Sequence, residues 1–316
     1  MQKLLTLLFS LVSITLSAQD VRYPYPVSYF SLSIENQPVR MAFMDVKPQN
    51  PNNQTVILFH GKNFNGFYWK DVIPFLVESG YRVIVPDQIG WGKSSKPNIH
   101  YSFFMLADNN KKLLDSLGIT NAIIVAHSMG GMLAIRFAVM FPQQVKKLVL
   151  ENPIGLEDYS AFVPYRTLQQ VYKTEASQTY ESIKKYQQSY YPVWKDEYEP
   201  YVQAQAAQLK DPDFAQIAMV NALTSQMIYE QPVVHVVDSI QVPTLLIIGQ
   251  EDRTVVGKTF LNDEQKKRYG NYPQLGKKIQ ARIKGSRLVE LPGVGHIPHI
   301  QTPDVYKQHL MNFLKN

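Results

Sequence analysis

Residues 123–132 read IIVAHSMGGM, and the rest of the chain is arranged around this stretch. An apolar run ends at His127, Ser128 follows at once, and small residues lead into a second apolar run. That order is strand, tight turn, helix. A serine at such a turn is lifted clear of both elements, and the backbone N–H after it, that of Met129, points into the same space. A hydroxyl and a hydrogen-bond donor for a developing oxyanion therefore come from one corner. Ala126 and Gly130 flank the serine as small residues, which so sharp a bend requires.

The pattern continues outward. Thr55–Phe59 (TVILF), Tyr81–Asp87, Val145–Glu151 and Val242–Gly249 are apolar runs of the kind found in strands covered on both faces. Helical patterns lie between them: Phe103–Leu117, with Ser102 as N-cap and Gly118 beyond its end, and Met129–Phe141. Alternating strands and helices predict a parallel sheet built of βαβ units. Val27–Ile34 and Val39–Val46 alternate as two strands joined by the turn-like Glu35-Asn36-Gln37-Pro38, an antiparallel edge. The rhythm breaks near Pro153. From residue 155 to 239 the spacing is helical and tyrosines are frequent, so this region reads as a helical cap inserted into a core of residues 19–154 and 240–316. Ser286–Leu291 is the last strand, and Thr302-Pro303 opens a final helix.

The small-x-Ser-x-small turn resembles the nucleophile elbow of the α/β-hydrolase family, with Ala126 where the family more often has glycine. His60-Gly61 after the strand TVILF resembles that family's HG-x loop. The resemblance assigns the second oxyanion N–H to Lys62, with Asn63 as the other candidate. Gln88–Pro97 resembles the family's D-x-x-G-x-G-x-S segment, and it reads as a rim of the site with Trp91 near substrate; His60 and Asn63 are further candidates to touch substrate. Asp252, in G-x-x-D after the strand ending at Gly249, and His296, in G-x-G-H after the last strand, complete the family's order of nucleophile, acid and base. The fold implied is α/β: a mostly parallel sheet with helices on both faces and an inserted helical cap.

A serine hydroxyl needs a base, and the base needs a carboxylate to hold its tautomer. Ser128, His296 and Asp252 supply the three from one sheet edge. Glu151 is the rival acid, and His299 the stand-in base. His127 points away from the nucleophile, as the preceding residue on a strand does. His296 and His299 lack the further ligands that a metal needs. No cofactor is expected. The expected activity is hydrolysis of a carboxylic ester or related acyl compound with an apolar or aromatic acyl group. Carbon–carbon bond hydrolysis and peracid formation use the same three residues, whereas dehalogenases and epoxide hydrolases of the family carry aspartate where Ser128 stands. A ligand-binding member of the fold without turnover is the reading from another class.

Composition bounds the rest. A chain of 316 residues with 45% hydrophobic residues can bury a large core. It has no cysteine, which excludes disulfides, thiolate metal sites and a cysteine nucleophile. The formal charge of +6 is spread along the chain, and no nucleic-acid-binding motif accompanies it. Lys3, the apolar Leu4–Leu16 and the small Ser17-Ala18 read as a secretory signal peptide over residues 1–18, cleaved near Ala18. Its apolar run of roughly 13 residues is short of the ~20 that span a bilayer. A periplasmic or secreted protein without a membrane span in the mature chain is the expectation, and the oligomeric state stays open.

Overall fold

The computed structural model describes residues 22–316, so the leader expected at residues 1–18 lies outside the described residues. One sheet runs through them: β1 (Val27–Ile34), β2 (Gln37–Val46), β3 (Thr55–Phe59), β4 (Arg82–Pro86), β5 (Ala122–His127), β6 (Val145–Glu151), β7 (Thr244–Gly249) and β8 (Arg287–Leu291). Their spatial order is β1-β2-β4-β3-β5-β6-β7-β8. The pairs β1·β2 and β2·β4 are antiparallel and the others parallel. The hairpin at the antiparallel edge is tighter than the sequence suggests. Glu35 and Asn36 both take positive φ, 49° and 62°, so the turn closes in these two residues and β2 starts at Gln37.

Side-chain alternation along β5 sorts the core into two layers. Ile124 and Ala126 join the apolar cluster on one face, with Leu106, Leu113 and Leu133; Ile123 and Val125 join the other, with Leu76, Tyr306 and Leu310. The chain places α1 (Ile73–Glu78), α2 (Phe103–Ser116) and α3 (Met129–Met140) between strands. Ser102 caps α2 by accepting the Met105 N–H. Between β6 and β7 come α4 (Leu168–Ala176), α5 (Tyr180–Gln188), α6 (Glu199–Ala206) and α7 (Phe214–Glu230), with α4 packed on α7 and α5 on α6. After β7 the chain forms α8 (Asp263–Arg268) and α9 (Tyr272–Arg282), and after β8, α10 (Pro298–Gln301) and α11 (Pro303–Lys315). Among the described residues, no helix is long and apolar enough to cross a membrane.

The register aligns the carboxyl ends of the parallel strands. Phe59 lies beside Ala126, His127 beside Glu151, and Gly249 beside Leu291. The residues that follow therefore emerge along one edge of the sheet, where the loops of an open α/β sheet collect their functional groups. How close they come depends on Gly130. A Cβ there would lie 2.3 Å from the carbonyl oxygen of Phe59, a rigid backbone atom. We predict that Gly130→Ala lowers unfolding free energy by about 1–3 kcal/mol, the usual cost of forcing a methyl group into packed structure. Denaturant titration checks this, and an unchanged midpoint would show that β3 and α3 can separate.

Candidate functional site

Ser128 links β5 to α3 with φ 56° and ψ −120°. Its N–H donates to the carbonyl of Glu151, and its own carbonyl accepts from the N–H groups of Gly131 and Ile154. The Oγ stands 3.0 Å from His296 Nε2, and His296 Nδ1 stands 2.7 Å from Asp252 Oδ2. The carboxylate accepts only, so Nδ1 carries the proton and Nε2 faces the hydroxyl as an acceptor. Asp252 also takes hydrogen bonds from Asn152 Nδ2 at 2.7 Å and from the Thr254 N–H at 2.8 Å. Burial alone would raise the Asp252 carboxyl. Coulombic attraction to His296 beside it and the hydrogen bonds from His296 and Thr254 outweigh burial and hold it below the usual carboxylate range.

Two backbone N–H groups near this serine are unspent among the described residues. Met129 begins α3, and neither its N–H nor that of Lys62 has an acceptor among the described residues. The Lys62 loop lies close by, since a Cβ on Gly61 would be 3.1 Å from the Ser128 Cβ. That loop is tied in place from beneath. His60 is fully buried and lines neither of the cavities at the site. Its Nε2 accepts the Gln88 N–H at 3.0 Å and its Nδ1 donates to the Gly61 carbonyl at 2.9 Å. Burial pushes its imidazole pKa down, which keeps it neutral. Trp91 donates from Nε1 to the Lys62 carbonyl at 2.6 Å. Both residues thus shape the loop, and neither lines the cavity that contains Ser128.

Asn63 lines that cavity and donates to the Tyr190 hydroxyl at 2.9 Å. Lys62 Nζ lies 3.4 Å from Glu175 Oε1 on α4. The structure does not bring Glu151 to His296. Glu151 is buried against His299, which approaches Oε1 with its Nδ1 and its backbone N–H, both at 2.8 Å. The rival acid and the stand-in base are therefore paired with each other, and His299 stacks on Trp69 at 4.4 Å.

Sequence reasoning missed the groups that brace this edge. Tyr190, just past α5, accepts the His296 N–H on its carbonyl at 2.7 Å, and its ring stacks on the His296 ring at 4.9 Å. A Cβ on Gly295 would come 2.1 Å from that carbonyl, which explains the glycine before His296. His127 Nε2 meets the His296 carbonyl at 2.8 Å, so that nitrogen carries the proton and Nδ1 accepts from Tyr68 at 3.1 Å. Tyr68 in turn accepts the Gly61 N–H at 2.9 Å. One chain of hydrogen bonds thus runs from the Lys62 loop through Tyr68 and His127 to the His296 loop. Burial, and then the neighbouring His296 and His299, keep the His127 pKa well below its ordinary value, so it stays neutral. Only the abundance of tyrosine in the insertion hinted at Tyr190, and no spacing pointed to Tyr68.

A cavity of about 470 Å³ reaches Ser128. Val163, Val171, Ile183, Tyr186, Tyr229 and Phe260 give it a largely apolar wall. Among the described residues, no three His, Asp or Glu side chains are grouped to hold a metal ion.

Residues 54–303 match the family model of the alpha/beta hydrolase fold. The chain is 45% identical to a "probable hydrolytic enzyme" from Pseudomonas aeruginosa PAO1, whose crystal structure matches with a TM-score of 0.92 over 93% of this chain and 96% of that one. A curated relative, the 2-hydroxy-6-oxo-6-phenylhexa-2,4-dienoate hydrolase of Comamonas testosteroni, is 34% identical over 137 residues, 42% of this chain and 48% of the relative. The chain thus spans less than half the length of that curated relative, and 29% of an uncharacterized protein of Mycobacterium tuberculosis that is 39% identical over 101 residues. The enol-lactonase of Burkholderia xenovorans LB400, 19% identical with a TM-score of 0.70 over 91% of this chain and 100% of that one, shares the fold.

Tyr68→Phe removes both the acceptor for the Gly61 N–H and the donor to His127. We expect a loss of about 1–3 kcal/mol in unfolding free energy, the cost of an unpaired buried polar group. Equilibrium denaturation measures it, and wild-type stability in the variant would mean that the loops are held without this chain.

Proposed function

The chain belongs to the alpha/beta hydrolase fold family, and from that premise we propose that it is a serine hydrolase cleaving a carboxylic ester or related acyl compound through Ser128, His296 and Asp252. The observation that carries this reading is the continuous path Ser128 Oγ, His296 Nε2, His296 Nδ1, Asp252 Oδ2, with contacts of 3.0 and 2.7 Å. His296 takes the serine proton as Oγ attacks the substrate carbonyl. The imidazolium that forms is stabilised by Asp252, and the new oxyanion is held by the N–H groups of Met129 and Lys62. His296 then returns the proton to the leaving group, and the same base activates water to clear the acyl-enzyme.

The helices between β6 and β7 act in this account as a cap over the serine. Ser128 is only 7% exposed, so the reaction would be shielded from bulk water. The apolar wall suits an apolar or aromatic acyl group. The leader-like residues 1–18 support a periplasmic or secreted address.

One observation favours a second reading. The dienoate named for the Comamonas relative contains no ester, so its hydrolysis breaks a carbon–carbon bond. The same three residues serve that chemistry.

An ester panel with graded acyl length tests the first reading. Ser128→Ala is expected to abolish turnover, and Asp252→Asn to lower kcat by about 10⁴-fold, because an amide in place of the carboxylate selects the wrong tautomer of the base. The Asp252 carboxyl is held low, so it remains ionised through the pH range in which an imidazole titrates. The acid limb of kcat/KM should then carry no contribution from Asp252 and fall with a slope of about one. Ester turnover that survives Ser128→Ala would overturn the assignment, and cleavage of a vinylogous diketone but of no ester would favour carbon–carbon hydrolysis.

A further inference from the structure

Beside the Ser128 cavity lies a second one of about 370 Å³. Lys62, Asn63, Glu175, Gln178 and Gln205 line both, so a single ligand can reach across the shared wall. The two differ in chemistry. The first is largely apolar, whereas the second is bounded by carboxamides and lysines, among them Asn65, Gln208, Lys96 and Lys210.

Hydrogen bonding leaves two carboxamides of the second cavity with their donors open. Asn65 spends its Oδ1 on the Phe67 N–H, and Gln205 spends its Oε1 on Gln187 Nε2, whose own orientation is set by the Tyr201 carbonyl. Their NH₂ groups have no acceptor among the described residues, and neither is a buried unpartnered atom, so both are free to meet a ligand. Of the acids on the wall, Glu175 is turned to partners within the protein and Asp211 is exposed. Glu175 accepts from Lys62, Gln178 and Ser225, and Asp211 accepts the Asp213 N–H. Neither Lys96 nor Lys210 has a carboxylate within ion-pairing distance among the described residues. Lys96 Nζ leans on two neutral carbonyls, those of Gly92 at 2.6 Å and Ser94 at 3.3 Å. Burial pushes its pKa down, and only the more distant charges of Asp87 and Asp211 pull it back. An ammonium so placed is stabilised by an incoming anion.

We infer that the second cavity is a subsite for an anionic, oxygen-rich group, a carboxylate in the simplest case, carried by the same molecule whose apolar part lies over Ser128. This rests on Ser128 as the reacting residue for its place in catalysis, but the binding itself does not. The preferred substrate is then bipartite, apolar at one end and anionic at the other. Lys62 stands where the two halves join, lining both cavities with its ammonium on Glu175.

The Ser128→Ala protein separates binding from turnover. It would be titrated calorimetrically with two matched pairs: phenyl hydrogen suberate against phenyl suberamate, with the charge on the acyl side, and the phenylbutyrate esters of glycolic acid and glycolamide, with it on the alcohol side. The carboxylate member of one pair should bind about tenfold tighter than its neutral partner, the worth of one hydrogen bond to a charged group, and the preference should shrink with added salt. Lys96→Met and Lys210→Met should each reduce the preference, whereas Lys185→Met, at an exposed lysine lining neither cavity, should retain it. Lys210 is exposed, so its replacement should not disturb the core even if that of Lys96 does. Equal affinity within both pairs would overturn the subsite, and Ser128-dependent hydrolysis of the neutral esters by the wild type would then leave the hydrolase reading standing. A carboxylate preference with no hydrolysis of any member would support the subsite and overturn the nucleophile.

Discussion

Ser128 is held in a backbone conformation that a residue with a side chain avoids, at a cost of order 1–3 kcal/mol, and its surroundings leave it no other. Its N–H is taken by Glu151 of β6, and its carbonyl by Gly131 of α3 and Ile154 beyond β6. Gly130 lies so close to the Phe59 carbonyl that a Cβ there would sit 2.3 Å from it. Three strands and a helix therefore meet at one residue. The strain is met by burial of β3, β5 and β6 between two apolar layers, and the hydroxyl ends up above the sheet edge facing His296.

Electrostatics at this edge is arranged by keeping two of its imidazoles neutral. His60 and His127 are deeply buried, and burial holds each below its ordinary pKa. Each then works as a donor and an acceptor at once, which an imidazolium cannot. His60 ties the Lys62 loop to Gln88, and His127 ties it through Tyr68 to the His296 loop. Asp252 is treated in the opposite way. Its oxygens collect donors from His296, Asn152 and Thr254, and its carboxyl is held below the usual range.

What the sequence made legible was whatever a local pattern carries. Continuous apolar runs located β3, β5, β6 and β7 because strands covered on both faces need no polar side. Ser128 and Asp252 each follow such a run and His296 follows β8, and the register brings those ends together. The hairpin was read with too long a turn, because the two positive φ values that close it at Glu35 and Asn36 leave only a weak trace in composition. Contacts across the chain that no motif carries were not legible. His127 meets a carbonyl 169 positions away, and Tyr190 reaches the His296 loop from the insertion. The pairing of Glu151 with His299 was equally hidden: either residue alone is a plausible member of a reacting set, and only their mutual distance assigns them to each other.

The central claim is that Ser128 is a nucleophile activated by His296. Treating the folded wild-type protein with a fluorophosphonate and mapping the adduct by peptide mass spectrometry tests it without any choice of substrate. The account predicts a single adduct on the peptide containing Ser128. An unmodified Ser128, or an adduct on another serine at the same rate, would contradict it.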